Sequence, residues 1–336
     1  MASKELIDLL GLPPSLRRWQ QACDLLQQAY TADPDGFEER WLDPVESLVE
    51  QVPAHVRLCS PRWYLDALEG VSHPGLRFAR VWYPMKRPGF SDDDVMAAMR
   101  LAPDPGPDAL AVRDSEAHLR QRWVDAWPHR KTLRVLSLED NYKGRPAAMV
   151  LPELIEGLRL AEFVLSDVNA LPALRGLHLE KIKRPTQEGE LLPMGRWAGN
   201  LEELSLSEVS SKLVLAWLST LEFPNLTHLE ILHLSGTESC NEELLRILLE
   251  RLPKLRVLRL SRFDGELAMT SLRGVLPRLQ ARGFEVLSIH DNSLDPAEVP
   301  AFSRWSEGRH PLDEMFRALE NQNSWLSHFF RGVDWP

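Results

Sequence analysis

From residue 133 onward, apolar residues recur in one short phrase: an apolar residue, two others, leucine, one other, then leucine or isoleucine. The copies are Leu133/Leu136/Leu138, Leu174/Leu177/Leu179, Leu201/Leu204/Leu206, Leu226/Leu229/Ile231, Leu255/Leu258/Leu260 and Phe284/Leu287/Ile289. Side chains of an extended strand alternate between faces, so the fourth and sixth positions of each phrase share a buried face and the third, fifth and seventh look outward. The starts at 174, 201, 226, 255 and 284 are 27, 25, 29 and 29 residues apart. A fixed period of this size marks a repeat array in which each unit buries its apolar face against its neighbours.

Between the strands the apolar spacing changes to that of a helix. In "NEELLRILLERLP" Asn241 is placed to cap, Glu242 and Glu243 favour the positive helix end, and Leu245, Leu248, Leu249 and Leu252 form one face before Pro253 ends it. Residues 116–127, 211–221 and 269–283 carry the same kind of pattern. Upstream, the phrase is followed through Leu76/Ala79/Val81 and Pro107/Leu110/Val112, with a further start at Pro53, Val56 and Leu58. The 41 residues between 133 and 174 are too long for one standard repeat and too short for two, and 160–168 is read as an extra strand or an insertion.

"LRVLSLEDN" (133–141) and "FEVLSIHDN" (284–292) resemble the LxxLxLxxN strand of the leucine-rich repeat family. Repeats of this length with true helices resemble its ribonuclease-inhibitor-like subclass. That resemblance implies an α/β solenoid, a horseshoe with a parallel inner sheet, outer helices and helical caps at both ends. The expected organisation is a helical N-terminal cap over 1–70, degenerate leading repeats over 71–130, regular repeats over 131–294, and a C-terminal loop and capping helix over 295–336.

Applied copy by copy, the phase assigns the concave face to Phe78, Arg80 and Trp82; to Ala109, Ala111 and Arg113; and to Val135, Ser137 and Glu139. It continues with Gly176, His178 and Glu180; Glu203, Ser205 and Ser207; His228, Glu230 and Leu232; Val257, Arg259 and Ser261; and Val286, Ser288 and His290. Glu139, Glu180, Glu203 and Glu230 make the middle acidic, while Arg80 and Arg113 with Phe78 and Trp82 make the first turns basic and aromatic. Large rigid side chains dominate binding energy, so Phe78 and Trp82 are the expected anchors.

Composition narrows the functional classes. A formal charge of −10 opposes a general nucleic-acid or anionic-membrane role and suits a protein partner of basic or mixed charge. Three scattered cysteines without a CxxC pair form neither a disulfide framework nor a zinc site and are expected as buried thiols. The N-terminus lacks the long apolar stretch of a secretory signal, so a cytoplasmic protein is expected. No phosphate loop, HExxH or GxSxG motif is present. Of the remaining candidates, "GVSHPG" (70–75) has proline where a nucleophile turn needs glycine. "HLEILH" converges only His228 and Glu230, short of a zinc ligand set, and "SDDD" (91–94) reads as a helix cap. The expectation is a non-enzymatic protein-binding protein without cofactor or metal, acting as an inhibitor or immunity protein. The alternatives are a scaffold or adaptor in signalling or defence, and an enzyme with its site in 83–106 or 295–311.

Overall fold

The computed structural model describes residues 4–82, 89–102, 108–112, 117–127, 132–139, 149–163, 168–182, 192–232, 239–261, 277–279 and 281–290. The chain divides into two compact units whose boundary falls between Ser137 and Leu138, within a strand. Among the described residues the strands belong to one sheet whose order is the order of the chain, and the pairings of the first two strands and of the last six are parallel. An open parallel sheet with intervening helices is therefore the observed architecture, as the repeat period predicts.

The first unit opens with helices: α1 (Lys4–Leu10), α2 (Leu16–Ala32), a π turn and a 3₁₀ turn that run into α3 (Glu46–Glu50), and α4 (Pro61–Leu68). α2 forms where the sequence places a cap followed by an apolar stripe. The Ser15 hydroxyl accepts the Arg18 N–H, and Trp19, Ala22, Cys23, Leu26 and Ala29 recur on one buried face. The Trp19 indole N–H donates to the Leu58 carbonyl at 2.7 Å, tying α2 to the segment that precedes α4. Cys23 and Cys59 are free buried thiols, and burial raises both above their ordinary pKa.

The strands of this unit are β1 (Val81–Trp82), β2 (Ala109–Val112) and the start of β3 (Val135–Glu139), separated by α5 (Asp92–Arg100) and α6 (Ala117–Ala126). α5 begins at the "SDDD" run as a capping box: the Ser91 hydroxyl accepts the Asp94 N–H at 3.2 Å, and the Asp94 carboxylate accepts the Ser91 N–H at 2.6 Å. Those acids are thus used by the helix terminus.

The leading repeat is in a different phase from the one its leucines imply. Val81 pairs with Ala109 and Trp82 with Leu110. Ala79 and Trp82, rather than Leu76, Ala79 and Val81, therefore occupy the first and fourth positions. A 3₁₀ turn over Pro74–Phe78 consumes the residues that would otherwise start the strand, carrying Leu76 and Phe78 into the core. The bridge Leu58↔Val81 shows the same three-residue shift one step earlier.

The second unit contains β4 (Gly157–Ala161), β5 (Gly176–Glu180), α7 (Leu192–Gly195), β6 (Glu203–Ser207) and α8 (Ser211–Thr220), then β7 (His228–Leu232), α9 (Ser239–Glu250), β8 (Val257–Ser261) and β9 (Val286–His290). From β5 to β9 the third positions pair in one line: Gly176, Glu203, His228, Val257 and Val286. The fourth and sixth positions, from Leu158 and Leu160 to Leu258 and Leu260, are buried. α9 begins at Ser239, two residues before the Asn241 expected to cap it. Most of the helix expected over 269–283, and the expected C-terminal cap, lie outside the described residues.

β4 resolves the long gap. Ile155, Leu158 and Leu160 repeat the apolar phrase 22 residues after Leu133 and 19 before Leu174, so the gap holds two short repeats. The strand lies at 157–161, not within 160–168. An isolated parallel bridge, Met149↔Val168, is found among the described residues of these two repeats; 140–148 and 164–167 lie outside them.

Candidate functional site

The face opposite the buried leucines of β4 to β8 is built from three rows in register. Across the fifth positions run Arg159, His178, Ser205, Glu230 and Arg259, one from each strand. Neighbouring strands lie about 4.8 Å apart, so these side chains meet. The Arg159 guanidinium contacts the Glu180 carboxylate at 2.6 Å, a His178 ring nitrogen lies 2.8 Å from the Glu203 carboxylate, and the Ser205 hydroxyl donates to Glu230 at 3.1 Å. Glu230 stands directly opposite Arg259 in the next strand. The result is a ladder of paired polar and charged side chains across five strands.

That ladder changes which residues a partner can reach. Glu203, Ser205 and Arg259 are buried, at 6%, 7% and 5% exposure, although strand parity sends them outward. Third positions Val135, Gly176 and Val257 are buried as well, whereas His228 is half-buried, with its Nδ1 2.8 Å from the Thr227 hydroxyl. Accessibility rises toward the C-terminal ends of most strands: the seventh-position residues Glu139, Glu180, Ser207 and Leu232 are half-buried, while Ala161 of β4 is buried. Each cross-strand pair folds its side chains along the sheet, and the strand ends stay open.

Immediately after those ends, Glu162, Lys181 and Glu208 adopt left-handed backbone conformations, with φ of 62°, 49° and 52°. Each N–H donates onward to the next strand: Glu162 to the Glu180 carbonyl, Lys181 to Ser207 and Glu208 to Leu232. The Lys181 ammonium sits 3.9 Å from the Glu180 carboxylate and 3.7 Å from that of Glu208. A Cβ in this conformation costs about 1–2 kcal/mol, and glycine removes that cost while losing about 0.5–1 kcal/mol of chain entropy. Glu208→Gly is therefore expected to stabilise the protein by about 0.5 kcal/mol; urea titration of the two proteins checks the sign.

A second ladder lies along the residue that precedes each strand. Arg175 grips the Glu202 carboxylate with two nitrogens, at 2.7 and 2.9 Å, and Arg256 pairs with Glu285. In the first unit the same positions are Arg57, Arg80, Asp108 and Arg134. Burial and the neighbouring Arg80 lower the Arg57 guanidinium to about 10. Burial raises Asp108, against the pull of Arg80, Arg57 and Arg134. Strand parity does not reveal this ladder, because its members lie one residue outside the alternating strand positions. Its signal is the charged residue directly after the first apolar position, as in "LRG", "LEE" and "FEV".

The expected N-terminal part of the face is corrected by these positions. Trp82 is fully buried, with its ring edge-on to Tyr64 and Trp127, and Phe78 is buried as well. Neither is a surface anchor, because the three-residue shift turns Trp82 to the leucine side of the sheet. Arg80 sits before β1, donating to the Arg77 and Ala79 carbonyls, and not at a fifth position. Arg113 lies outside the described residues. His290 ends β9 in register with Ser261, and its side chain lies outside them too.

Other candidate chemistry finds structural roles. His73 of "GVSHPG" is buried against the face of Trp63 and the edges of Tyr30 and Phe37, and its Nδ1 accepts the Gly75 N–H. Among the described residues no cluster of three His, Cys, Asp or Glu side chains is placed to hold a metal ion, and no helix is long and apolar enough to cross a membrane. His233, and the 83–88, 103–107 and 295–311 segments, lie outside the described residues.

Neither a family model nor a curated protein matches the chain. Among solved structures it is similar to a protein from Bacteroides fragilis, at 13% identity and a TM-score of 0.44, over 81% of this chain and 84% of that one. The repeat architecture consequently rests on the parallel in-register strands themselves.

Proposed function

We propose that the chain is a leucine-rich repeat protein of the ribonuclease-inhibitor-like kind that binds another protein on the open end of its inner sheet face. The carrying observation is the register, which sets Glu180, Ser207 and Leu232 at the ends of three consecutive strands, with Glu139 ending β3 two strands before them. Backbone hydrogen bonds hold these side chains at regular spacing before any partner arrives, which lowers the ordering cost of a broad interface. With Glu162 and Glu208 beside them, the rim is mainly acidic, so the partner presents a basic or mixed-charge surface. The buried Glu203, Ser205 and Arg259 act beneath it as the rigid floor.

Affinity purification of the tagged protein from its own cell, beside a Glu139→Arg/Ser207→Arg/Leu232→Arg variant, tests this. One stoichiometric partner lost from the variant, whose circular dichroism is unchanged, is the expected result. Retention of that partner, or none with either protein, contradicts it. An inhibitor suppresses the captured partner's activity, whereas an adaptor bridges it to a second protein.

A further inference from the structure

Among the described residues, the helical part of the first unit carries a separate surface with an open groove. α1 buries Leu6, while Leu9 of α1 and Leu12 just after it line a groove of about 770 Å³ completed by Gln21 and Leu25 of α2. Leu12 is 49% exposed, and nearby Ile7 is 41% exposed. Among the described lining residues, Glu5, Asp8 and Asp24 stand around this apolar floor with Lys4.

Asp24 also lines a second cleft, of about 620 Å³, formed with α2 residues Gln27 and Thr31 and with Ser60 and Arg62 at the start of α4. The Gln27 amide oxygen is buried and accepts no hydrogen bond from the described residues. Burial raises the Asp24 carboxyl above its ordinary range, with Arg62 pulling it back. A further cation beside Asp24 would relieve that penalty, and an N–H donor would satisfy Gln27.

We propose that the α1–α2 groove receives a basic amphipathic helix of a partner protein, whose apolar side chains fill the space over Leu9, Leu12 and Leu25. An arginine or lysine of that helix reaches over Asp24 toward the Gln27 amide oxygen. Charge selects this occupant: a second copy of the chain would bring its own carboxylate rim against this one, and an anionic lipid surface would be repelled by the same groups. The apolar floor with anchors on successive helical turns is the geometry by which helices seat in grooves.

The test is fluorescence anisotropy of the full-length protein with a labelled helical peptide of about 18 residues, long enough to hold a helix, with leucines at i, i+3, i+4 and i+7 and arginines between them. Comparison peptides carry the same residues in scrambled order, or glutamate in place of arginine. The ordered arginine peptide is expected to bind at least about tenfold more tightly than either. Leu12→Asp and Asp24→Lys each weaken it by about tenfold or more, while Glu243→Lys on the exposed face of α9 leaves it within about twofold. Both tested side chains are exposed, and unchanged circular dichroism confirms folding. Equal binding of the scrambled peptide, equal weakening by Glu243→Lys, or no effect of Leu12→Asp overturns the proposal. So does a dimer in light scattering that Leu12→Asp dissociates. These outcomes are independent of the sheet-face reading, which is tested on the other unit.

Discussion

Replacing Trp82 with alanine will destabilise the protein by about 3–5 kcal/mol, the cost of deleting a large aromatic from a packed interior. Trp82 has no exposed surface, occupies the position that leucine fills in later repeats, and meets Tyr64 and Trp127 edge-on. Removing it leaves a cavity bounded by two other aromatic rings, which cannot collapse without moving α4 and the end of α6. Urea unfolding followed by tryptophan fluorescence and circular dichroism measures the loss. Stability unchanged to within about 0.5 kcal/mol, the usual range for surface positions, would return Trp82 to the surface role its sequence phase implies.

The second large effect is a dependence on pH. Burial lowers the His73 imidazole from its ordinary value near 6.5 to about 4. Between these two values the unfolded chain binds a proton that the folded chain does not, so stability rises with pH. The contribution is complete above about pH 6.5 and is lost as pH falls toward 4, at about 1.4 kcal/mol per pH unit and about 3 kcal/mol in all. His73→Asn keeps an acceptor for the Gly75 N–H and removes the titrating ring. Its stability is expected to fall less than that of the parent between pH 7 and pH 4, by roughly that amount, although it starts lower for want of the ring's packing on Trp63. Parallel curves for the two proteins would show that His73 takes up its proton as readily in the folded state as in the unfolded chain.

What the sequence disclosed follows the strength of its periodicity. From 174 onward, leucines hold the first, fourth and sixth positions with little variation, and a one-residue slip would expose every one of them, so strand positions and register were legible. Before 133 the same positions hold Ala79, Trp82 and Leu110, and Leu76 offered a better-looking start three residues early. The 3₁₀ turn over Pro74–Phe78 is what separated apolar pattern from strand. The β4 repeat was hidden for a different reason: Ile155, Leu158 and Leu160 fit the phrase, but its intervals of 22 and 19 residues are shorter than the 25 to 29 that separate the later copies.

The face was legible in membership and not in exposure. Parity assigned Glu203, His178, Ser205, Glu230 and Arg259 to one side of the sheet, and they are there. It carried no information on cross-strand pairing, which depends on which charges arrive opposite one another after registration. Arg159, contributed by the unrecognised β4, pairs with Glu180, and the His178–Glu203 contact helps bury a carboxylate that alternation alone would leave open. Parity already assigned the row at the strand ends to this face; that this row is the more accessible one follows only from those pairs.

The claim that a partner is held at the strand ends of the inner face is tested most directly by a photo-crosslinking residue at Ser207, compared with one at Arg246 on the exposed surface of α9. Irradiation in the native cell is expected to join one protein to position 207 in a defined product and to leave 246 without it. A product formed equally or only from 246 would place the interface on the helices and contradict the account.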